Sequence, residues 1–155
     1  MLIQEKDMLL RNLIKIESGL AKIYNRLSLK DSFTPPVRNF WRSLSLEESI
    51  HADIFDEIRQ AMINDGIQVS IKIDNEKLKE FVDKVNDLLK KTASDDLSDS
   101  DAYSIGAFIE AELDEAAFVK KIETIDKKFT AMLNRIQNDT QKHRVMLVNH
   151  SRGIK

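Results

Sequence analysis

The chain has 155 residues, a formal net charge of -2 and no cysteine. Disulfides, thiolate metal sites and a rubredoxin-type iron centre are thereby excluded, and the interspersed charges point to neither nucleic acid nor a membrane surface. Four glycines and two prolines are too few for a turn-rich β protein, while 42% apolar and 32% charged residues suit one globular domain with a solvated face.

The first periodic segment runs from about Gln4 to Leu29, and its seam reads Leu10, Leu13, Glu17, Leu20, Tyr24, Leu27 at the three-and-four spacing of a bundle helix. Thr34 followed by Pro35 marks the start of a second helix that runs to about Ile63. An alternative start exists at Ser45, where Ser45-Leu46-Glu47-Glu48 fits a capping box. The stripe Trp41, Leu44, Glu48, His51, Phe55, Ile58, Met62 favours the longer helix. Asn64-Asp65-Gly66 stops it. In "IQVSIKI", Ile67, Val69, Ile71 and Ile73 alternate with polar residues, a strand period. This stretch is expected as an arm packed on the helices or as a strand shared with a second subunit. A third helix covers about Asn75 to Lys91, and the polar run "TASDDLSDSD" breaks the chain. A fourth helix is expected over about Asp99 to Ile125 and a fifth over about Asp126 to Asn149. Met62, Met132 and Met146 read as core filler, and His150 as a structural cation in a last helical turn. Two long hairpins, about 4–63 and 99–149, joined by a crossover at 64–98 with its own short helix, make a single all-α domain over 1–155 with ferritin-like four-helix topology. No segment approaches the length of a membrane span, and the start lacks the pattern of a signal peptide, so the cytoplasm is the default expectation.

The seams of four helices carry ionisable residues that are expensive to bury without compensation. These are Glu17, then Glu48 and His51, then Glu112, then His143. At i and i+3, Glu48 and His51 share a face and can reach one ion. A Glu from each of two helices plus Glu-x-x-His from two others is the four-helix di-iron arrangement. Two divalent ions a few Å apart need about four carboxylates for charge balance, with imidazoles filling terminal positions.

Glu17-x6-Tyr24, Glu48-Ser-Ile-His51 in "EESIHADIF", Glu112-x-x-Glu115 and the late His143 resemble, over nearly the whole chain, the rubrerythrin branch of the ferritin-like proteins. The resemblance implies an oxo-bridged di-iron centre that reduces peroxide or oxidises ferrous iron. It casts Glu17 and Glu112 as terminal carboxylates, Glu48 as a bridge, His51 and His143 as nitrogen ligands, and Glu115 as a movable carboxylate. Tyr24 would hydrogen-bond a ligating carboxylate. Two irons are expected, one is possible, and manganese or zinc would also suit the ligands. The branch forms dimers, so a homodimer is expected. With no cysteines for a rubredoxin-like domain, electrons must come from a separate donor.

One position departs from the pattern. The second Glu-x-x-His falls on Thr140-Gln141-Lys142-His143, so one bridging carboxylate is missing. Glu115 could restore the count, and Asp139, one position off register, could contribute at a strained angle. If neither does, a single-ion site or a metal-free cluster of Glu-His pairs in a non-enzymatic bundle becomes the alternative.

Overall fold

The periodic N-terminal segment folds as helix α1, Ile3–Ser28, and the next as helix α2, Pro35–Asn64. The computed structural model describes residues 1–93, 97–112 and 115–152, with the backbone alone at 110, 112, 115, 116, 151 and 152. α2 starts at Pro35, with an extended Thr34 before it and proline in the first turn, where no intrahelical N–H is needed. Ser45 lies inside α2 and does not begin it; its hydroxyl donates to the Ala21 carbonyl at 2.8 Å, tying α2 to α1. The end of α2 follows from Gly66, which takes φ of 67° and lets the Ile67 N–H reach back to the Ala61 carbonyl at 3.3 Å. Only glycine takes that conformation without a steric penalty.

The seams of α1 and α2 pack against each other, burying Leu10, Leu13, Leu20, Tyr24 and Leu27 with Trp41, Leu44, Phe55, Ile58 and Met62. Each such side chain contributes about 1.5–3 kcal/mol by leaving water. That gain is what carries the ionisable residues into the same seam.

The alternating segment forms strand β1, Val69–Ile71. Val69, Ile71 and Ile73 are buried in the core, so the segment packs on the helices as an arm. Its partner is strand β2, Ile122–Thr124, antiparallel within the same chain, with Val69 opposite Thr124 and Ile71 opposite Ile122. The expected continuous helix from 99 to 125 is therefore interrupted. Helix α4 covers Asp99–Glu112, helix α5 covers Glu115–Val119, and the chain then turns through Lys120 and Lys121 into β2. The β-branched run Ile122, Thr124, Ile125 also follows helical spacing at Val119 and Ile122, so the sequence alone does not separate the two periods. The unpaired backbone of β1 decides it, because a lone strand needs a ladder partner.

Between β1 and α4, helix α3, Asn75–Thr92, is capped by Asp74, which accepts from the Glu76 N–H at 3.0 Å, and lies along α1. Helix α6, Lys127–Arg152, begins after Asp126, whose carboxylate accepts from the Phe129 N–H at 3.1 Å. α6 packs on α4, α5 and α2. Its inward positions are Phe129, Leu133, Ile136, Thr140, His143 and Leu147, while Met146 points outward and is not core filler. The fold is predominantly helical, with one two-stranded ribbon among the described residues. None of the described helices is long and apolar enough to cross a membrane.

Candidate metal centre

α1, α2 and α6 bring Glu17, Glu48, His51 and His143 together in the middle of the seam. Their exposures are 2%, 0%, 0% and 1%, so no water screens them. Ligand atoms of Glu17, Glu48 and His51 all lie within 4.8 Å of one another, as atoms around a single ion would. Glu48 is the centre of the group. His51 Nδ1 stands 3.4 Å from its Oε2, and His143 Nδ1 stands 3.2 Å from its Oε1. Glu17 Oε2 is 4.0 Å from the same His51 nitrogen. The two imidazole rings lie near parallel on either side, 6.1 Å apart.

The outer nitrogens explain which way the rings face. His51 Nε2 is 2.9 Å from Asp139 Oδ2, and His143 Nε2 contacts Glu47 Oε2. In the neutral tautomer that donates Nε2–H to the outer carboxylate, Nδ1 carries no proton. Nδ1 of each neutral imidazole is then a lone pair aimed at a carboxylate oxygen. Two acceptors in such proximity require a cation or a proton between them. Consistently, among the described residues neither Glu48 oxygen nor His51 Nδ1 makes a well-aligned hydrogen bond. Carboxylate, imidazole and ion in line is the usual support of a metal-bound histidine.

Without a metal, protons take that place. Burial pushes Glu48 toward its neutral form, yet the nearby Glu17 carboxyl, His143 and His51 outweigh it and hold Glu48 well below the ordinary carboxylate range. Burial likewise pushes His51 down, and its contacts with Glu48 and Asp139 overcome this and raise it.

Thr140 stands one turn before His143 at the position that Glu48 holds relative to His51. It is 2% exposed, and its hydroxyl donates to the Ile136 carbonyl of its own helix at 2.9 Å. It offers no charge to an ion. Asp139 does not replace it as a ligand: it sits behind His51, with Arg135 Nε 3.7 Å away on its solvent side. Glu112 and Glu115 occupy the last position of α4 and the first of α5, and their side chains lie outside the described residues. Tyr24 is fully buried two turns along α1 from Glu17, stacked on Trp41.

Glu47 was not apparent as a site residue from the stripe, since it lies one position off it. A signal exists nonetheless. Glu47-Glu48-x-x-His51 and Asp139-Thr140-x-x-His143 share an acid directly before the inward position. Because α2 and α6 face each other across the cluster, each acid reaches the other helix's histidine.

Comparison with known proteins returns no match. No family model fits the chain, and neither a curated protein nor a solved structure resembles it closely enough to count.

Proposed function

We propose that this protein is a rubrerythrin-like iron-binding protein of ferritin-like topology, which reduces peroxide or oxidises ferrous iron at an asymmetric site. One observation carries the reading: two imidazoles, each fixed from outside by a carboxylate, aim their inner nitrogens at the same buried Glu48 carboxylate. A divalent ion there would balance the two charges of Glu17 and Glu48 and satisfy the His51 lone pair.

Glu17, Glu48 and His51 would hold the tighter ion. His143 and the second oxygen of Glu48 mark a weaker position, because Thr140 supplies no bridge. Bound iron would contribute the one-electron redox chemistry that side chains of this cluster lack. Asp139 and Glu47 hold the histidine tautomers and, at 15% and 37% side-chain exposure, connect the buried nitrogens to solvent protons. Full burial of the ligands suits a small oxidant such as peroxide rather than a bulky substrate. Electrons would arrive from a separate donor. A homodimer is part of this reading, with β1 paired to β2 inside each chain.

The test is peroxide consumption by iron-loaded protein beside Glu48→Ala. Loss of turnover and of bound iron in a folded variant is expected; no reaction of the loaded wild type with peroxide or oxygen refutes the redox function. Thr140 favours a second reading, a non-enzymatic bundle whose cluster is held by protons alone. That reading requires a melting temperature indifferent to added iron, whereas ligand binding raises it by mass action.

A further inference from the structure

The chain contains two tyrosines and one tryptophan, and all three stand in one row. Tyr24 of α1 stacks on Trp41 of α2 with ring centroids 5.9 Å apart. Trp41 meets Tyr103 of α4 at 5.2 Å. Both separations are contact distances for aromatic pairs. Gly106 makes the second contact possible: a Cβ there would lie 2.9 Å from the Trp41 ring.

The row starts two helical turns from the ligand cluster. Tyr24 follows Glu17 by two helical turns, about 10.5 Å along α1. It ends near the start of α4, where burial and then the charge of Asp99 hold the Tyr103 hydroxyl above the usual phenol range. Asp99 is only half-buried and accepts from the Ser32 hydroxyl at 2.7 Å.

Packing alone does not call for these residue types. The same aromatic layer takes Phe33 and Phe40 against Trp41, so phenylalanine fits it. Trp41 instead buries an Nε1 with no hydrogen-bond partner among the described residues, which is destabilising. Tyrosine and tryptophan differ from phenylalanine in giving up single electrons to strong oxidants. An oxidised Trp41 has no acceptor for its Nε1 proton among the described residues, so it passes the vacancy on instead of trapping it. Tyr103 has a carboxylate nearby to receive its phenolic proton.

We propose that Tyr24, Trp41 and Tyr103 form a one-electron path from the ligand cluster toward the surface. The path supplies the second electron when peroxide reacts at a centre holding one ferrous ion. This rests on the iron reading above and on Thr140, which leaves only one ion position complete. The step balances. One of the two electrons would come from a ferrous ion held by Glu17, Glu48 and His51, oxidised to ferric. Tyr103 gives the other through Trp41 and Tyr24 and releases its phenolic proton. The O–O bond of hydrogen peroxide breaks, and with that proton and one from solvent it leaves as two waters.

The test loads the protein anaerobically with one equivalent of ferrous iron, measures bound iron, mixes with one equivalent of hydrogen peroxide and records electron paramagnetic resonance after freeze-quenching. A tyrosyl radical is expected in wild type. It should be lost in Tyr103→Phe, which keeps the ring and the packing, and fall about tenfold in Trp41→Phe, with bound iron unchanged in both. Iron that binds and turns ferric without a tyrosyl radical overturns the path and leaves the iron site standing. A radical that both variants retain does the same. Failure to bind iron overturns both.

Discussion

Replacing Thr140 with glutamate restores the carboxylate that the second half of the site lacks, and its effect should change sign with metal. In the metal-free protein the new acid enters a position that is 2% exposed, beside Glu48 and a helical turn from His143. An ionised carboxylate there adds a third negative charge to Glu17 and Glu48. Holding it protonated at pH 7 instead, about 2.7 units above its ordinary value, costs up to about 3.7 kcal/mol. For a chain of this size each kcal/mol lowers the melting temperature by about 2–4 °C, so a fall of about 7–15 °C is expected without metal. With divalent iron or manganese the added carboxylate becomes a bridge. The deficit should then vanish, and metal content should rise by about one ion per chain. Differential scanning fluorimetry with and without metal, with elemental analysis of the same samples, reads both. A metal-free variant as stable as wild type that gains no ion refutes the argument, because position 140 would then not face the cluster.

Asp139→Asn keeps the size of the group behind His51 but removes its charge; metal affinity measured by titration should weaken about 10- to 100-fold, and an unchanged affinity would mean that Asp139 does not orient the ligand. The raised pKa of His51 stabilises the metal-free fold below about pH 6.5 and is lost as pH rises through the folded value, while the lowered pKa of Glu48 stabilises it above about 4.5 and is lost as pH falls. Metal must displace the His51 proton, so the metal-induced rise in melting temperature should grow from about pH 6 to about pH 8; a flat profile contradicts the proton-for-metal exchange. Gly106→Ala gains about 1 kcal/mol of helix propensity but drives a methyl to 2.9 Å from Trp41 and Leu147, an overpacking worth about 1–3 kcal/mol. A net loss of up to about 2 kcal/mol should appear in chemical denaturation, and a more stable variant would deny the close contact.

The site was legible where helical period fixed it. Glu17, Glu48, His51 and His143 stand at three-and-four spacing within apolar stripes, and the burial of all four follows from that. The start and end of α2 were equally readable from Thr34-Pro35 and Gly66. What spacing does not encode is a long-range choice. Ile122 continues a helical seam and also suits a strand, and only the distant β1 backbone selects between them. Asp139 and Glu47 were obscured for a similar reason. Each lies off its own helix's inward stripe and acquires its role from a histidine 88 or 96 residues away.

The central claim is that the buried cluster is a ligand set. It is tested most directly by the metal content of anaerobically purified protein reconstituted with ferrous iron, measured by mass spectrometry beside Glu48→Ala. The account expects about one tightly held iron per chain, with a weaker second, and none in the variant. Wild type that retains no more metal than Glu48→Ala would contradict it, and Glu48, His51 and His143 would then be a buried cluster held by protons.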